Sequence, residues 1–339
     1  MTDGIAAVDV ALDYGPRLSS GVEQGVTIMR TLALVAATIV ALCAAPGVSI
    51  AQAPELPSPL VSVDWLEFNQ EDVVLLDVRK NTKLYGEDGH IPGAVLVDWK
   101  QVRADVTEDG VVYERMLLDE PRFEQLMQAH GVDNDSTVVI AHGGKDALQL
   151  SFGARLYWQL KYYGHDRVAI LDGGTAQWKA TGRELSKEPS PVQTGTFEVT
   201  DRRDALLATT EEVEAALAAQ SAQLVDSRPL AFYLGLEQRS YVYAPGHIPG
   251  AKHMPFSLLT PGKGPGVLRT PEDLRQAALA LGIDPAKPLI TYCNSGHVAS
   301  GVWFLLAEVL GNENAQLYDG SLHAWTKDAA RPMVSMRVD

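Results

Sequence analysis

Short apolar runs alternate with longer amphipathic stretches along most of the chain. Three runs of strand length are nearly continuous in apolar residues: 73–78, 138–141 and 168–171. Such runs are typical of strands that are buried on both faces. Three stretches between or after them have a helical pattern: 119–130, 148–163 and 175–180. The alternation predicts an α/β fold, with helices covering both faces of a mainly parallel sheet.

Two helix starts are marked by capping residues in the second half of the chain. Thr209 is followed three residues later by Glu212, which is the spacing of a capping box. Thr270 precedes Pro271, and proline suits the first position of a helix. Gly282 is the expected end of that helix. We therefore expect one helix to begin after Thr209 and another after Thr270.

The same pattern occurs twice. Asp-x-Arg at 77–79 leads to Gly-His-Ile-Pro-Gly-Ala at 89–94, and Asp-x-Arg at 226–228 leads to the identical hexapeptide at 246–251. A long period with only two copies indicates a duplicated domain rather than a solenoid. We expect each copy to form a sheet flanked by helices. The expected boundaries are a first domain at 54–183, a polar linker with two prolines at 184–196, and a second domain at 197–339.

The first 53 residues resemble a targeting segment preceded by an extension. Met29 and Arg30 open an apolar run that ends at Ala45, and small residues follow. This order is typical of a secretory signal peptide, expected at 29–53, and the run is too short to span a bilayer. Residues 1–28 are expected to be a misassigned start or a disordered extension. The alternative is a true extension ahead of an uncleaved anchor. We expect a periplasmic or secreted protein without a stable membrane anchor after cleavage.

Composition excludes several classes of partner and cofactor. The net charge is −15, and no basic cluster suggests binding to nucleic acid. Two cysteines cannot form a disulfide scaffold or a four-cysteine zinc site. The sequence has no ligand cluster with metal spacing and no glycine-rich nucleotide loop, so no metal and no organic cofactor is expected.

Cys293 is the candidate nucleophile. It follows the apolar run 289–292 and precedes an apolar helical stretch at about 298–310. Ligands of open α/β sheets bind beyond the carboxyl ends of strands, and backbone N–H groups at a helix start favour a thiolate. The loop expected to hold the anion consists of Asn294, Ser295, Gly296, His297 and Val298. The alternative is an inert buried cysteine. His142 occupies the matching position in the first copy, which therefore lacks a nucleophile.

Taken together, the doubled hexapeptide, the two Asp-x-Arg segments and the cysteine of the second copy resemble the tandem-domain rhodaneses, the thiosulfate and 3-mercaptopyruvate sulfurtransferases. The resemblance covers residues 55–335. It implies two rhodanese-like domains, a non-catalytic first and a catalytic second. It also implies that Cys293 takes a sulfane sulfur from thiosulfate or 3-mercaptopyruvate as a persulfide and passes it to a thiol or cyanide. Residues 294–298 match the active-site loop of the family.

The sequence departs from the family pattern around the donor. Thiosulfate-type loops carry basic residues just after the cysteine, whereas Asn294 and Ser295 are neutral. Phe232 stands where the family usually has a donor-binding arginine, and Arg239 is the nearest cation that could replace it. If the active cleft lies between the domains, His90 could reach it, although a structural role in its turn is the simpler interpretation. His297 could pair with the thiolate or the donor, or point to solvent.

Two other functions compete with a sulfurtransferase. A phosphatase of this domain shape needs an arginine after the five loop residues that follow the cysteine, but Ala299 occupies that position. That function is therefore excluded. A non-catalytic sulfur carrier or binding module remains open, because the donor-binding arginine is replaced. The expected partners are a small-molecule sulfur donor and a thiol or cyanide acceptor.

Overall fold

Two parallel β-sheets, one from each copy of the sequence pattern, form the framework of the molecule. The computed structural model describes residues 54–108 and 110–336, and the predicted extension and signal peptide lie outside these residues. The strands are β1 Leu60–Val61, β2 Val74–Arg79, β3 Val95–Asp98, β4 Ala104–Glu108, β5 Val111–Met116, β6 Val138–His142, β7 Val168–Leu171, β8 Gln223–Asp226, β9 Lys252–His253, β10 Leu289–Tyr292 and β11 Ala315–Leu317. The first sheet has the strand order β1-β7-β6-β2-β3, and the second has the order β11-β10-β8-β9.

Helices cover these sheets, as the alternating pattern predicted. They are α1 Val63–Asn69, α2 Lys83–Glu87, α3 Glu120–Ala129, α4 Ala147–Tyr162, α5 Gly174–Ala180, α6 Thr210–Ala219, α7 Leu230–Tyr233, α8 Pro271–Ala280, α9 His297–Trp303 and α10 Ser321–Trp325. Short 3₁₀ turns lie at Gln70–Asp72, Trp99–Val102, Asp204–Leu206 and Phe256–Leu258. The α/β class is confirmed. In the described residues, no helix is both long enough and apolar enough to cross a bilayer.

The predicted elements agree with the structure to within about a residue, with two exceptions. The Thr209–Glu212 capping box is formed in full, and α8 begins at Pro271. The helix after Cys293 is shorter than expected, because α9 gives way to a π-helical turn at Phe304–Val309. The antiparallel hairpin of β4 and β5 was not predicted, because its strands mix apolar and polar residues and none of these residues is buried.

The two halves meet along α4 and α9. Helix α4 is buried on nearly every side, because its own sheet covers one face and α9 covers another. Small residues allow the close approach: the Ser300 hydroxyl lies 3.3 Å from the carbonyl of Ser151, and a Cβ on Gly301 would stand 2.6 Å from the Ser151 hydroxyl. One apolar core therefore runs from the first half into the second and includes Cys293.

Each Gly-His-Ile-Pro-Gly-Ala turn is built in the same way. His90 stacks on Tyr85 with ring centroids 3.6 Å apart, and its Nδ1 lies 3.0 Å from the Tyr85 carbonyl. His247 stacks on Tyr233 at 3.8 Å, and its Nδ1 lies 2.7 Å from the Tyr233 carbonyl. The duplication therefore extends to side-chain contacts.

An extended segment is tied to each of these turns. The backbone of His90 pairs with Ser186, and the backbone of His247 pairs with Val334. Ser186, near the start of the predicted linker, is thus hydrogen-bonded to the first half. Gly246 has a φ of +98°, and a Cβ at this position would overlap the carbonyl oxygen of Val334. Only glycine fits both the backbone conformation and the space.

We expect Gly246→Ala to lower the free energy of unfolding by about 3 kcal/mol, from left-handed strain and overpacking together. Gly282 provides the matched control, because its φ is +75° and a Cβ added there would meet no atom within 4 Å. Gly282→Ala should therefore cost only the backbone strain, about 1 kcal/mol. Urea denaturation of both variants measures the difference, and equal losses would contradict the close contact with Val334.

Candidate active site

Cys293 lies directly after β10, which runs between β8 and β11 in the second sheet. The cysteine is therefore at the carboxyl end of an interior strand, as the sequence predicted. It is 2% exposed and belongs to the apolar core shared by the two halves. Cys293 forms no disulfide, and its sulfur makes no hydrogen bond to any of the described residues.

Ser321 holds the loop that follows Cys293. Its hydroxyl oxygen accepts hydrogen bonds from the backbone N–H of Cys293 at 3.0 Å and of Gly296 at 3.1 Å, and it donates to the carbonyl of Tyr318 at 2.8 Å. Gly296 turns the chain into α9 with a φ of +67°, where a Cβ would overlap the carboxylate of Asp319. The loop is thus fixed by the segment that leads into α10.

The loop amides are used differently from the prediction. Successive N–H groups of the loop 294–298 were expected to converge on an anion, but the N–H of Gly296 donates to Ser321, as does that of Cys293. Within the described ranges, the N–H groups of Asn294 and Ser295 donate to no protein acceptor. These two donors directly after the cysteine are available to an anion at the sulfur.

Arg228 places a fixed positive charge beside the loop. It forms an ion pair with Asp226 at 2.5 Å and donates to the Asn294 side chain at 3.3 Å. Burial opposes the charge, but Asp226, Tyr292 and Cys293 raise the pKa of Arg228 above its ordinary value. The guanidinium therefore stays charged. The ion pair within this Asp-x-Arg segment therefore also contacts the loop.

His297 packs against the first half instead of pointing to solvent. Its ring centroid lies 4.5 Å from that of Trp99 and 4.6 Å from that of Phe152. Burial, together with the charges of Arg103, Arg155 and Lys80, holds its pKa well below the ordinary value. The imidazole is therefore neutral near pH 7 and does not act as a cationic partner of a thiolate.

The substrate-binding candidates from the sequence fall into two groups. Arg239 is exposed, and its guanidinium carbon lies 5.2 Å from the ring centroid of Phe232. The structure therefore brings these two candidates together. His90 is fully buried, and its contacts lie in its own turn rather than in the Cys293 loop. The stacking on Tyr85 holds the ring of His90 inside the first half, which favours the structural role in its turn.

Sequence reasoning missed an arginine from the first half. Arg155 on α4 is fully buried, forms an ion pair with Asp319, and its Nη1 lies 3.4 Å from the Gly296 carbonyl. The signal was available, since Arg155 is a charged residue inside an otherwise apolar helix. What it contacts could be learned only from the packing of α4 on α9.

Cys293 is not among the residues that line a cleft of about 970 Å³ in the described part of the chain. This cleft lies between the hairpin of β4 and β5, the start of α3 and the start of α6. Asp319 lines this cleft and also pairs with Arg155 beside the loop. The site around Cys293 is narrower and is defined by its loop and by side chains of both halves.

His142 occupies the position of Cys293 in the first sheet. It ends β6, is fully buried, and its Nδ1 accepts a hydrogen bond from the N–H of Gly144 at 3.1 Å. Burial, and secondarily the charge of Arg79, lower its pKa from 6.5 to about 3. The first half therefore carries a neutral imidazole where the second carries a sulfur.

The buried His142 should make stability depend on pH. Because its pKa is lowered to about 3 in the folded state, the unfolded chain binds the extra proton as pH falls below about 6.5. Its contribution should destabilise the fold by about 2 kcal/mol between about pH 7 and about pH 5. His142→Asn keeps an acceptor for Gly144 and removes the titration, so this part of the slope should vanish in urea denaturation. An unchanged slope would contradict the buried neutral imidazole.

Comparison with known proteins relates both halves to one family. The model of the rhodanese-like domain matches residues 62–181 and residues 209–328. These segments contain the two Gly-His-Ile-Pro-Gly-Ala turns, and the second contains Cys293 and its loop.

Curated relatives match most of the chain. A protein of Saccharopolyspora erythraea named "Putative thiosulfate sulfurtransferase" is 36% identical over 277 residues, covering 79% of this chain and 92% of the relative. A protein of Mycobacterium bovis named "Putative thiosulfate sulfurtransferase 1" is 35% identical over 279 residues, covering 79% and 93%. The "Sulfur carrier protein TtuD" of Thermus thermophilus is 34% identical over 281 residues, covering 79% and 94%.

A solved structure shares the fold at lower identity. It is an anaerobic ergothioneine biosynthesis enzyme from Chlorobium limicola in complex with trimethyl histidine. The TM-score is 0.70 at 21% identity, covering 83% of this chain and 71% of that chain. This likeness concerns the arrangement of the backbone alone.

Proposed function

The chain belongs to the rhodanese family, and from this premise we propose that it is a sulfurtransferase that carries sulfur on Cys293. The observation that carries the proposal is the position of this cysteine at the carboxyl end of β10, followed by two backbone N–H groups that donate to no acceptor in the described part of the chain. Relatives that match four-fifths of the chain are named as thiosulfate sulfurtransferases, which favours thiosulfate as the donor.

The proposed reaction uses the cysteine twice. The thiolate of Cys293 attacks the outer sulfur of thiosulfate, the S–S bond breaks, and sulfite leaves with the electron pair. The resulting persulfide anion is stabilised by the N–H groups of Asn294 and Ser295 and by the charge of Arg228. A thiolate or cyanide then attacks the outer sulfur, and the thiolate of Cys293 leaves. With cyanide the product is thiocyanate, and the enzyme returns to its starting state.

Incubation of the purified chain with thiosulfate should add about 32 Da to Cys293, as a persulfide. Addition of cyanide should remove that mass and release thiocyanate. Cys293→Ser should show neither event, because the attacking sulfur is gone. Mass spectrometry of the peptide and a colorimetric thiocyanate assay measure the two steps. Cys43→Ser is the matched control for a purified chain that retains Cys43, and it should behave like the unchanged protein.

The same experiment with 3-mercaptopyruvate tests the alternative donor. A mass increase with this donor and not with thiosulfate would contradict the thiosulfate assignment. No mass increase with either donor would contradict a sulfur-carrying function altogether.

A sulfur carrier is the second candidate function. One relative, at 34% identity, is named a sulfur carrier protein. Cys293 is 2% exposed, so small molecules have restricted access to its sulfur. A carrier would take up sulfur on Cys293 but pass it on slowly to cyanide. Formation of the persulfide without turnover would support this function over a sulfurtransferase.

We also propose that the protein is exported by the segment at 29–53. A positive residue, an apolar stretch and a small-residue exit support this proposal. The protein recovered from outside the cytoplasm should begin at about residue 52 or 54, as N-terminal sequencing would show. A cytoplasmic protein that retains the apolar run at 31–45 would contradict export.

A further inference from the structure

Arg103 of the first half lies within electrostatic reach of two further arginines, Arg115 and Arg155, and both Arg103 and Arg155 lie within reach of His297 in the Cys293 loop. Arg103 follows the 3₁₀ turn Trp99–Val102, Arg115 lies on β5, and Arg155 lies on α4. Arg155 touches the loop at the Gly296 carbonyl. The charges of Arg155 and Arg115, after burial, lower the pKa of Arg103 to about 10. Such a grouping is unexpected in a chain with a net charge of −15.

Several nitrogens of this group are enclosed without a hydrogen-bond partner in the described part of the protein. Arg155 is 0% exposed, and only its Nη1 is bonded. The enclosed and unpartnered nitrogens are Arg103 Nε, Arg115 Nη1, Arg155 Nε, Arg155 Nη2 and His297 Nε2. The guanidinium groups can only donate, and His297 Nε2 donates in one tautomer. Buried donors without acceptors are costly, so their grouping indicates a ligand that accepts.

The carboxylates beside these arginines differ in burial, and the exposed Asp105 accepts a hydrogen bond from the backbone N–H of Arg115 at 3.0 Å. Asp319 pairs with Arg155, and its other oxygen accepts from the Leu117 N–H at 2.6 Å. Glu114 lies 3.5 Å from Arg115, but both side chains are substantially exposed. Screening weakens such an exposed pair. The enclosed part of the cluster is therefore left with an excess of positive charge.

Aromatic rings hold two of the guanidinium groups in place. Arg103 lies over the ring of Trp99 at 4.1 Å, and Arg115 lies over the ring of Tyr241 at 4.1 Å. Trp99 also packs against His297 of the loop. Stacking fixes the orientation of a guanidinium without using its hydrogen-bond donors. The donors are thus positioned while remaining available to bind an anion.

We propose that Arg103, Arg115 and Arg155, together with His297, form a subsite for the oxyanion group of the sulfur donor. The proposal rests on the proposed function and specifies its substrate class as a small anion with a tetrahedral oxyanion end, such as thiosulfate. The oxyanion binds the arginines of the first half while the outer sulfur meets Cys293 of the second. This subsite takes over the role that the buried Phe232 cannot perform. Both halves are therefore needed for donor binding.

Binding is best measured without chemistry, on the full-length Cys293→Ser chain with thiosulfate as the titrant in calorimetry. Arg103→Gln and Arg115→Gln should each weaken binding about tenfold or more, because each removes a charged donor to the anion. Arg122→Gln is the matched control, since Arg122 lies in the same half with its side chain 55% exposed. Its affinity should match that of the parent chain. Sulfate, which has no transferable sulfur, should compete with thiosulfate.

The fully buried Arg155 needs a milder change, because its loss leaves Asp319 without its partner. Arg155→Lys keeps the charge but removes the planar donor set, so it should weaken thiosulfate binding while circular dichroism shows a folded protein. If Arg155→Lys does not fold, Arg103→Gln and Arg115→Gln decide the proposal. Unchanged affinity in both would overturn it. Loss of affinity in Arg239→Gln alone would overturn it as well, because the donor would then bind at the loop near Phe232.

Two results separate the subsite from the proposed function. If persulfide forms on Cys293 with the same KM for thiosulfate in Arg103→Gln and Arg115→Gln, the function stands and the subsite is wrong. If thiosulfate binding depends on these arginines but no persulfide forms, the subsite stands and the function is wrong.

Discussion

The buried ion pair between Arg155 and Asp319 is the constraint on which the candidate site depends. It joins a helix of the first half to the segment that also carries Ser321, and Ser321 holds the amides of Cys293 and Gly296. Burying two charges gains little net stability, but removing one partner of such a pair is expensive. The pair therefore fixes geometry more than it adds free energy, and it makes the loop dependent on the first half.

Duplication explains why two halves of the same fold carry different residues, His142 and Cys293, at the ends of corresponding strands. Each half has a parallel sheet, a buried Asp-Arg ion pair and a histidine stacked on a tyrosine in its turn. These contacts stabilise the sheet, and they do not depend on which residue lies at the end of the strand. His142 and Cys293 occupy corresponding positions after interior strands. The first half can therefore keep its fold without a nucleophile at this position. Its helix α4 instead contacts the Cys293 loop of the second half through Arg155.

Isolation of Cys293 has a chemical consequence. The sulfur lies in the apolar core. The loop that follows it holds two amides that donate to no acceptor in the described residues, and Arg228 donates to the side chain of Asn294. Under the proposed function, a persulfide formed on Cys293 would be shielded from bulk water. Low accessibility also makes long-range attraction important, because a small anion must be drawn into a narrow site on an acidic protein. In the proposed subsite, the arginines of the first half supply this attraction.

Hydrophobic pattern and local motifs were enough to determine the α/β class, the duplication, the capped helices and the position of Cys293 at a strand end. Each of these features depends on neighbouring residues in the chain or on an exact repeat, so each can be recognised from the sequence alone. The inward direction of His90, the packing of His297 on Trp99 and the role of Arg155 were decided only by the tertiary structure. They depend on how α4 packs against α9, and residues 141 positions apart, such as Arg155 and Gly296, leave no periodic signal of their contact.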